Sequence, residues 1–246
     1  MKKLLLILFL SLPVLFVIGQ GRFPISNAAH LAAAATGRPT VMDDGDTYPE
    51  YIAHTDYLTL GLTGVISWED ASDSAFNLAT QGSDSAYWST DHVSFAGTSK
   101  LKNYDWNTAT GFTVWMVVYM DSWTGGDEFF VLADGAVDFN QYPASDRVRV
   151  STSGGSFNTD YDDQALDTWY IIKIIVNGAS SEIQYNENTA ITGNAGTFTA
   201  ADQAWLGHDV DCADFDLKHF IYRNTIDTSG DEDDIRDWLN SEYSVY

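Results

Sequence analysis

The stretch from residue 168 to residue 178, TWYIIKIIVNG, constrains the fold more than any other part of the chain. Its side chains alternate between two faces with the two-residue period of a β-strand, and most of them are β-branched or aromatic. One face is wholly apolar, and the other is interrupted only by Lys173. The Asn177-Gly178 pair is typical of a hairpin turn, and residues 182–185 form the returning strand. A strand that is apolar on both faces is central in its sheet, so a second layer must cover it.

Short apolar runs separated by turn residues recur along the chain and are typical of a sandwich. A second long strand is predicted at residues 111–121, GFTVWMVVYMD. Shorter strands are predicted at residues 57–62, 65–68, 92–95, 128–133, 147–151, 203–207 and 215–223.

The C-terminal residues change to a helical period. Ile235, Trp238 and Leu239 share one helical face, and Ser229 with Glu232 forms a predicted capping box. We therefore expect an all-β fold, a two-sheet antiparallel β-sandwich (jelly roll) with a short C-terminal helix packed on it.

The N-terminal residues have the pattern of an export signal. Two lysines precede a long apolar run, and Gly19 suits cleavage before Gln20. A membrane span is the alternative, but Pro13 interrupts a run that is already short for one. We expect residues 1–19 to be a signal peptide, which makes the protein secreted or surface-exposed with no membrane segment in the mature chain.

The region between the signal and the first predicted strand is polar. Residues 26–36 are a short alanine-rich helix candidate, and residues 38–56 contain the acidic cluster DDGD with two prolines. We interpret residues 20–56 as an N-terminal arm or linker and residues 57–246 as the sandwich domain.

Charge is the unusual property of the composition. The 246 residues include 35 acidic and 12 basic side chains, a formal net charge of −23. Such a field repels nucleic acid and anionic membranes, so neither is an expected partner. We attribute many of the acidic residues to turns, where an aspartate side chain hydrogen-bonds its own backbone. Bound calcium and a salty habitat are the alternatives.

Cys212 is the only cysteine, so no intrachain disulfide forms and a large core has to stabilise the fold. We expect its thiol to be inert, because no basic residue adjoins it and an acidic surround raises a thiol pKa.

Five short segments occur in a specific order along residues 68–246. They are WEDAS at 68–72, VSFAGT at 93–98, GFTVW at 111–115, TWY at 168–170 with Asn177-Gly178, and 217–222 followed by the helical residues. In this order they resemble a concanavalin A-like lectin/glucanase jelly roll of the laminin G-like kind. One position departs from the pattern, because Lys218 stands where domains of this kind commonly have an acidic residue. The resemblance implies two antiparallel sheets, one of them concave, with ligand sites on the concave face or rim loops; function varies widely among such domains.

Catalysis of the glucanase kind is not indicated by the residues. Glucanases of this superfamily carry two glutamates spaced E-x-D-x-x-E or E-x-D-x-E, because a retaining mechanism needs its carboxyl groups close together. Glu182 and Glu187 are five residues apart with no aspartate between them. Nothing pairs His208 with His219 for a lyase mechanism. We expect no catalysis; a glycoside hydrolase or polysaccharide lyase with an unrecognised site is the third hypothesis.

Four aspartates ahead of the last strand form a candidate calcium site: Asp209, Asp211, Asp214 and Asp216. Calcium takes several oxygen ligands, which a loop of alternating aspartates supplies. The resemblance adds that related rims carry such ions. An uncoordinated surface loop is the alternative, and no other cofactor is expected.

Aromatic residues supply a candidate sugar platform, because rings stack on the apolar faces of sugars while neighbouring polar groups bond the hydroxyls. The candidate residues are Trp88, Trp106, Trp115, Tyr119 and Trp123. Core packing is the alternative for each tryptophan, and we assign Trp169 and Trp238 to packing.

Together these patterns predict a non-catalytic carbohydrate-binding or adhesion module whose partner is a glycan or an extracellular protein. The alternative is a structural subunit or decoration protein of an extracellular appendage or virion, in which the sandwich self-assembles.

Overall fold

The computed structural model describes residues 37–62, 64–72, 76–80, 85–106, 108–122, 127–132, 136–142, 147–159, 165–197, 202–208 and 212–246. Arg38–Tyr246 form one unit. The predicted signal peptide and the helix candidate at 26–36 lie outside the described residues. Within those residues, no helix has both the length and the apolar character needed to cross a bilayer.

Strands dominate the described residues, and one α-helix closes the chain. The strands are β1 Thr47–Ile52, β2 Leu58–Leu60, β3 Val65–Trp68, β4 Leu78–Thr80, β5 Tyr87–Ser89, β6 His92–Gly97, β7 Lys100–Asn103, β8 Phe112–Met120, β9 Glu128–Leu132, β10 Val137–Gln141, β11 Val148–Thr152, β12 Gly155–Asn158, β13 Trp169–Val176, β14 Ser181–Tyr185, β15 Ile191–Gly193, β16 Ala204–Gly207 and β17 Cys212–Arg223. Helix α1 is Ser229–Tyr243, and short 3-10 turns lie at Thr40–Asp43 and Gly178–Ser180.

The first sheet is built around β8 and β17. Strand β8 pairs antiparallel with β17 on one side and with β13 on the other, and β13 continues through β14 to β15. On its far side, the first half of β17 pairs with β6 and the second half with β1. The predicted central place of β13 is therefore confirmed.

The second sheet runs in the order β2-β3-β4-β7-β16-β9-β10-β11-β12, and every neighbouring pair is antiparallel. A parallel bridge between Cys212 and Glu128 joins it to the first sheet, so the strands form one continuous hydrogen-bonded network folded into two layers.

The main core lies between the two layers. Alternate side chains of β8, β13 and β17 meet side chains of β9, β10 and β16 there. The ring of Phe130 on β9 lies 5.0 Å from Phe220 on β17 and 5.3 Å from Phe139 on β10. Strict alternation along the long strands places one set of side chains in this core, as the sandwich prediction requires.

Helix α1 covers the opposite face of the first sheet. Its buried residues Ile235, Trp238 and Leu239 pack against a second cluster that includes Trp115 and Ile171. The predicted packing face of the helix is confirmed.

The capping box of α1 lies one residue earlier than predicted. Thr228 is the N-cap, and its partner is Asp231 rather than Glu232. This register directs Glu232 to the sheet, where it and Glu182 pair with the ammonium of Lys173. The lysine in the apolar strand is thus buried with two carboxylate partners, which offset the cost of removing its charge from water.

Residues 38–56 belong to the sandwich rather than to the expected arm or linker. Strand β1 pairs with the second half of β17. Glu50 is buried on it, with Oε1 2.9 Å from His219 Nε2 and Oε2 accepting from Arg38 Nη2 at 2.7 Å. The segment looked like a linker because its polar residues gave no apolar alternation, whereas in the fold Glu50 is buried and bonded to Arg38 and to the distant His219.

We expect Glu50→Gln to lower the free energy of unfolding at pH 7 by about 3 kcal/mol, because it leaves buried basic groups without their carboxylate. Burial opposes ionisation of Glu50, but His219 and Arg38 outweigh it and hold the pKa of Glu50 below its ordinary 4.5. Stability from a lowered carboxyl pKa is present above the unfolded value and is lost as pH falls through the folded one. The difference in free energy of unfolding between the wild type and the variant should therefore become smaller below pH 4.5.

Urea denaturation across a pH series measures this difference, and Glu69→Gln is the control because Glu69 is an exposed carboxylate. Equal stability of the two variants at pH 7 would contradict the assigned role of Glu50.

Candidate functional site

The outward side chains of β13, β8 and β17 form rows across the first sheet, because the three strands pair residue by residue. The rows are Ile175–Thr113–Arg223, Lys173–Trp115–Ile221, Ile171–Val117–His219 and Trp169–Tyr119–Asp216. Helix α1 packs on members of the second and third rows. The fourth row continues the same face past the residues that the helix covers.

A β-bulge in β17 adds Lys218 to this end of the face. The register with β8 shifts between Leu217 and His219, so Lys218 is the extra residue. Its Nζ lies 4.3 Å from the ring centroid of Trp169 and 3.0 Å from Asp91 Oδ2. The bulge leaves Lys218 on the outward face with Asp216 and brings His219 to that face as well, so this end of the face carries a cation above an aromatic ring.

These side chains line a pocket of about 300 Å³, which we call the outer-face site: Asp91, His92, Tyr119, Asp121, Trp169, Asp216 and Lys218. Trp169 is its central ring, with the ring centroid of Tyr119 at 5.4 Å and that of His92 at 5.9 Å. Trp169 and Tyr119 are both half-buried. The site therefore combines partly open aromatic rings with several carboxylates.

The imidazole of His92 holds two of the carboxylates in place. Its Nε2 lies 3.2 Å from Asp216 Oδ2 and its Nδ1 lies 3.0 Å from Asp91 Oδ1. Desolvation opposes ionisation of Asp91, but hydrogen bonds from Lys218 and His92 outweigh it and lower the pKa of Asp91. Asp91 is thus a charged carboxylate at neutral pH.

Asp121 is in a different electrostatic environment. Partial burial, followed by the charges of Asp216, Asp214 and Asp167, raises the pKa of Asp121. Crowding by carboxylates makes a further negative charge unfavourable at this position. The described lining of the outer-face site accordingly holds three carboxylates beside the ammonium of Lys218 and the imidazole of His92.

The predicted sugar-binding aromatics are separated by the fold. Tyr119 lines the outer-face site, whereas Trp115 and Trp106 are only 1% and 2% exposed and cannot reach a ligand. Trp115 lies beneath α1 and donates its Nε1–H to Asp227 Oδ2 at 3.0 Å. Trp106 packs in the main core, 5.2 Å from the ring of Tyr222. The prediction that Trp115 and Trp106 belong to the sugar platform is therefore wrong.

Trp88 is half-buried against the main core and is not among the described residues that line the outer-face site. Trp123 lies outside the described residues. Trp169, which we assigned to packing, does pack against the cluster that includes α1, and it is also the principal ring of the site. One feature of the sequence could have indicated this role. Trp169 is the first residue of β13, so it lies at the end of the face whose middle α1 covers.

The candidate calcium ligands are only partly described. Asp209 and Asp211 lie outside the described residues, Asp214 Oδ2 accepts from Ser122 Oγ at 3.1 Å, and Asp216 pairs with His92. Within the described ranges, no group of three or more His, Cys, Asp or Glu side chains is arranged to hold a metal ion. The calcium site stays a prediction.

A second aromatic cluster lies on the outer face of the second sheet. Lys102 Nζ lies 4.0 Å from the ring centroid of Trp205 and 4.3 Å from that of Tyr104, and His208 stacks on Trp205 at 5.0 Å. Trp205 is only 7% exposed. The outer-face site is the better candidate, because its rings line a pocket. His219, the other histidine considered for a lyase, is buried in the first sheet beside Glu50.

No protein-family model matches the chain, and no curated protein sequence matches it. Solved structures do match. A Trypanosoma rangeli sialidase mutant displaying trans-sialidase activity is similar over 87% of this chain and 35% of its own, with a TM-score of 0.60 and 12% identity. A botulinum neurotoxin type C structure, described as dependent on two ganglioside molecules for cell entry, matches 82% of this chain and 53% of its own, with a TM-score of 0.61 and 9% identity. The binding domain of botulinum neurotoxin DC in complex with SialylT matches 80% of this chain and 52% of its own, with a TM-score of 0.56 and 10% identity.

At these identities the similarity is one of fold, and it agrees with an all-β architecture. The chain spans about a third of the length of the sialidase and about half of the length of the toxin structures. The expectation of no catalysis is corrected by this comparison. It was based on the missing glucanase carboxylate pair, and sialidase structures share the fold over 84% to 88% of this chain, so that absence is no ground for excluding catalysis.

Cys212 is not among the described residues that line the outer-face site. It is buried at 3% exposure, and burial together with the charges of Asp214 and Glu128 raises the pKa of its thiol to about 12. The expected direction of the shift is confirmed, and burial is its largest cause.

We expect the thiol of native Cys212 to react with a disulfide reagent at pH 8 at least about a hundredfold more slowly than in urea-unfolded protein, because the thiolate is the reactive form. Absorbance of the released thiolate measures both rates. Complete labelling of the folded protein within the time that labels the unfolded protein would contradict the assigned burial.

Proposed function

We propose that the chain is a secreted carbohydrate-binding module that holds a glycan in the outer-face site. The observation that carries this proposal is the half-buried pair Trp169 and Tyr119 in a pocket lined by carboxylates. An aromatic face buries the apolar C–H surface of a sugar ring, and carboxylates accept hydrogen bonds from its hydroxyl groups. A pocket of about 300 Å³ suits one or two sugar units.

Within this site, the residues have distinct roles. Trp169 supplies the apolar contact to the sugar, beside the ammonium of Lys218 that lies 4.3 Å from its ring centroid. Asp216 and Asp121 accept hydroxyl hydrogens, and His92 orients Asp216 through their 3.2 Å contact. Tyr119, whose hydroxyl donates to Asp167 Oδ1 at 3.2 Å, forms the second wall.

The structures with a similar fold support a glycan as the ligand. The toxin structures are described with ganglioside molecules and with SialylT, and a sialidase structure with sialic acid. We also propose the finer assignment to the laminin G-like kind of concanavalin A-like domain, which the two-layer sandwich and the five ordered segments support. Secretion is proposed from the basic and apolar pattern of residues 1–19.

We expect Trp169→Ala to weaken glycan binding by at least about tenfold, or about 1.4 kcal/mol, because central aromatic contacts are among the most costly to truncate at a binding site. A glycan array identifies the ligand, and calorimetric titration then compares the variants. Tyr104→Ala is the matched control, since Tyr104 is 56% exposed and lies beside the second sheet. Near-ultraviolet circular dichroism verifies that both variants fold.

Two results would count against the proposal. If the folded wild type binds no glycan on the array, the function is wrong. If Trp169→Ala binds as tightly as the wild type, the glycan occupies a different site.

A further inference from the structure

We infer that the outer-face site selects sugars that are uncharged or carry a free amine and rejects sugars that carry a carboxylate. This inference rests on the proposed function and adds the chemical class of the sugar. It is carried by the kinds of charge that surround Trp169, by the partner of Lys218 and by the charge of the whole chain.

The charges that line the site are mainly negative. Asp91, Asp121 and Asp216 contribute three carboxylates, and Lys218 contributes one ammonium. A sugar carboxylate placed among these three aspartates would join a group of like charges. Like charges placed opposite one another at an interface suppress a wrong partner.

Lys218, the lysine among the described lining residues, already has a carboxylate partner. Lys218 Nζ lies 3.0 Å from Asp91 Oδ2, and the hydrogen bond contributes to the lowered pKa of Asp91. To bind an acidic sugar, Lys218 would have to leave that partner. Recognition of carboxylates commonly uses the paired N–H donors of arginine, and none of the described residues that line the site is an arginine.

The position of Lys218 shows that the ring of Trp169 stabilises a positive charge. Its ammonium lies 4.3 Å from the ring centroid of Trp169, the geometry of a cation–π contact. The protonated amine of an amino sugar is the same kind of cation. Because the ammonium of Lys218 repels it, its place is beside Asp121 and Asp216, where it would offset the carboxylate charges that, after burial, raise the pKa of Asp121.

The net charge of the chain acts in the same direction. At −23, its field disfavours the approach of an anion and favours that of a cation. Salt screens such long-range interactions within about 10 Å at 0.1 M. Part of the selectivity should therefore decline as the ionic strength rises.

Matched sugars isolate the effect of charge from that of shape. The probes are oligosaccharides of galactose, galactosamine and galacturonic acid with the same linkage, the same set in the glucose series, and sialyllactose beside lactose. Each is titrated against full-length folded protein at 0.05 M and 0.5 M NaCl, with Trp169→Ala to verify that binding is at this site. We expect the amine to bind at least about tenfold more tightly than the acid at low salt, with the neutral sugar between them and the ratio smaller at high salt.

Two charge variants test the assignment to these carboxylates. Asp121→Asn removes one negative charge from the site while keeping its shape, and we expect it to reduce the ratio of amine to acid affinity severalfold. Asp234→Asn removes the same charge from the exposed surface of α1 and should change the ratio by less than twofold.

The outcomes separate this inference from the proposed function. Binding of sialyllactose or a uronic acid as tight as that of the neutral sugar, lost in Trp169→Ala, would overturn the selectivity and retain the glycan site. An equal effect of the two charge variants would overturn the role of the site carboxylates. No binding of any probe by the folded wild type would overturn both proposals.

Discussion

The buried guanidinium of Arg223 is the interaction on which the rest of the structure depends. Its Nε donates to Asp227 Oδ1 at 2.5 Å, its Nη2 to Asp44 Oδ2 at 2.9 Å and its Nη1 to Thr47 Oγ1 at 2.6 Å. Burial opposes the charge, but the two carboxylates outweigh it and raise the pKa of Arg223. One side chain at the end of β17 therefore connects the turn before β1, β1 itself and the loop that leads into α1. Removing one partner of such a buried pair costs about 3–5 kcal/mol, so the three segments are coupled.

This coupling determines which part of the first sheet α1 covers. Asp227 also accepts from the indole of Trp115, which fixes the start of the helix above the second row of outward side chains. Glu232 pairs with Lys173 in that same row, and near the end of the helix the hydroxyl of Tyr243 lies 2.8 Å from His219 Nδ1 in the third row. The helix is thus anchored over the second and third rows. Trp169 in the fourth row packs against the same cluster but stays half-buried, and it lines the pocket.

Local patterns in the sequence predicted most of this architecture, and interactions between distant segments account for what they missed. The alternation in β8 and β13 and the helical face of Ile235 depend on neighbouring residues, so the sequence displays them directly. The burial of Glu50 depends on His219, which is 169 residues away, and no local pattern contains that partner. Trp115 and Trp169 show the same limit for the site: each alternates outward on its strand, but the position of α1 buries the first and leaves the second in a pocket. The bulge at Lys218 brings His219 to the same outward face, and alternation along β17 does not reveal that change.

The distribution of basic residues explains why an acidic site follows from this fold. Arg223, Lys173 and Arg38, with side chains at most 11% exposed, each pair with carboxylates of the first sheet, its helix or the N-terminal segment. These cations stabilise the anchors, and they are not available to offset the acidic groups on the surface. At the fourth row, the cation is Lys218, which Asp91 holds over Trp169. A ligand there meets an aromatic ring whose surroundings accept hydrogen bonds and favour positive charge, so the same ion pairs that position the helix also determine the chemistry of the pocket beside it.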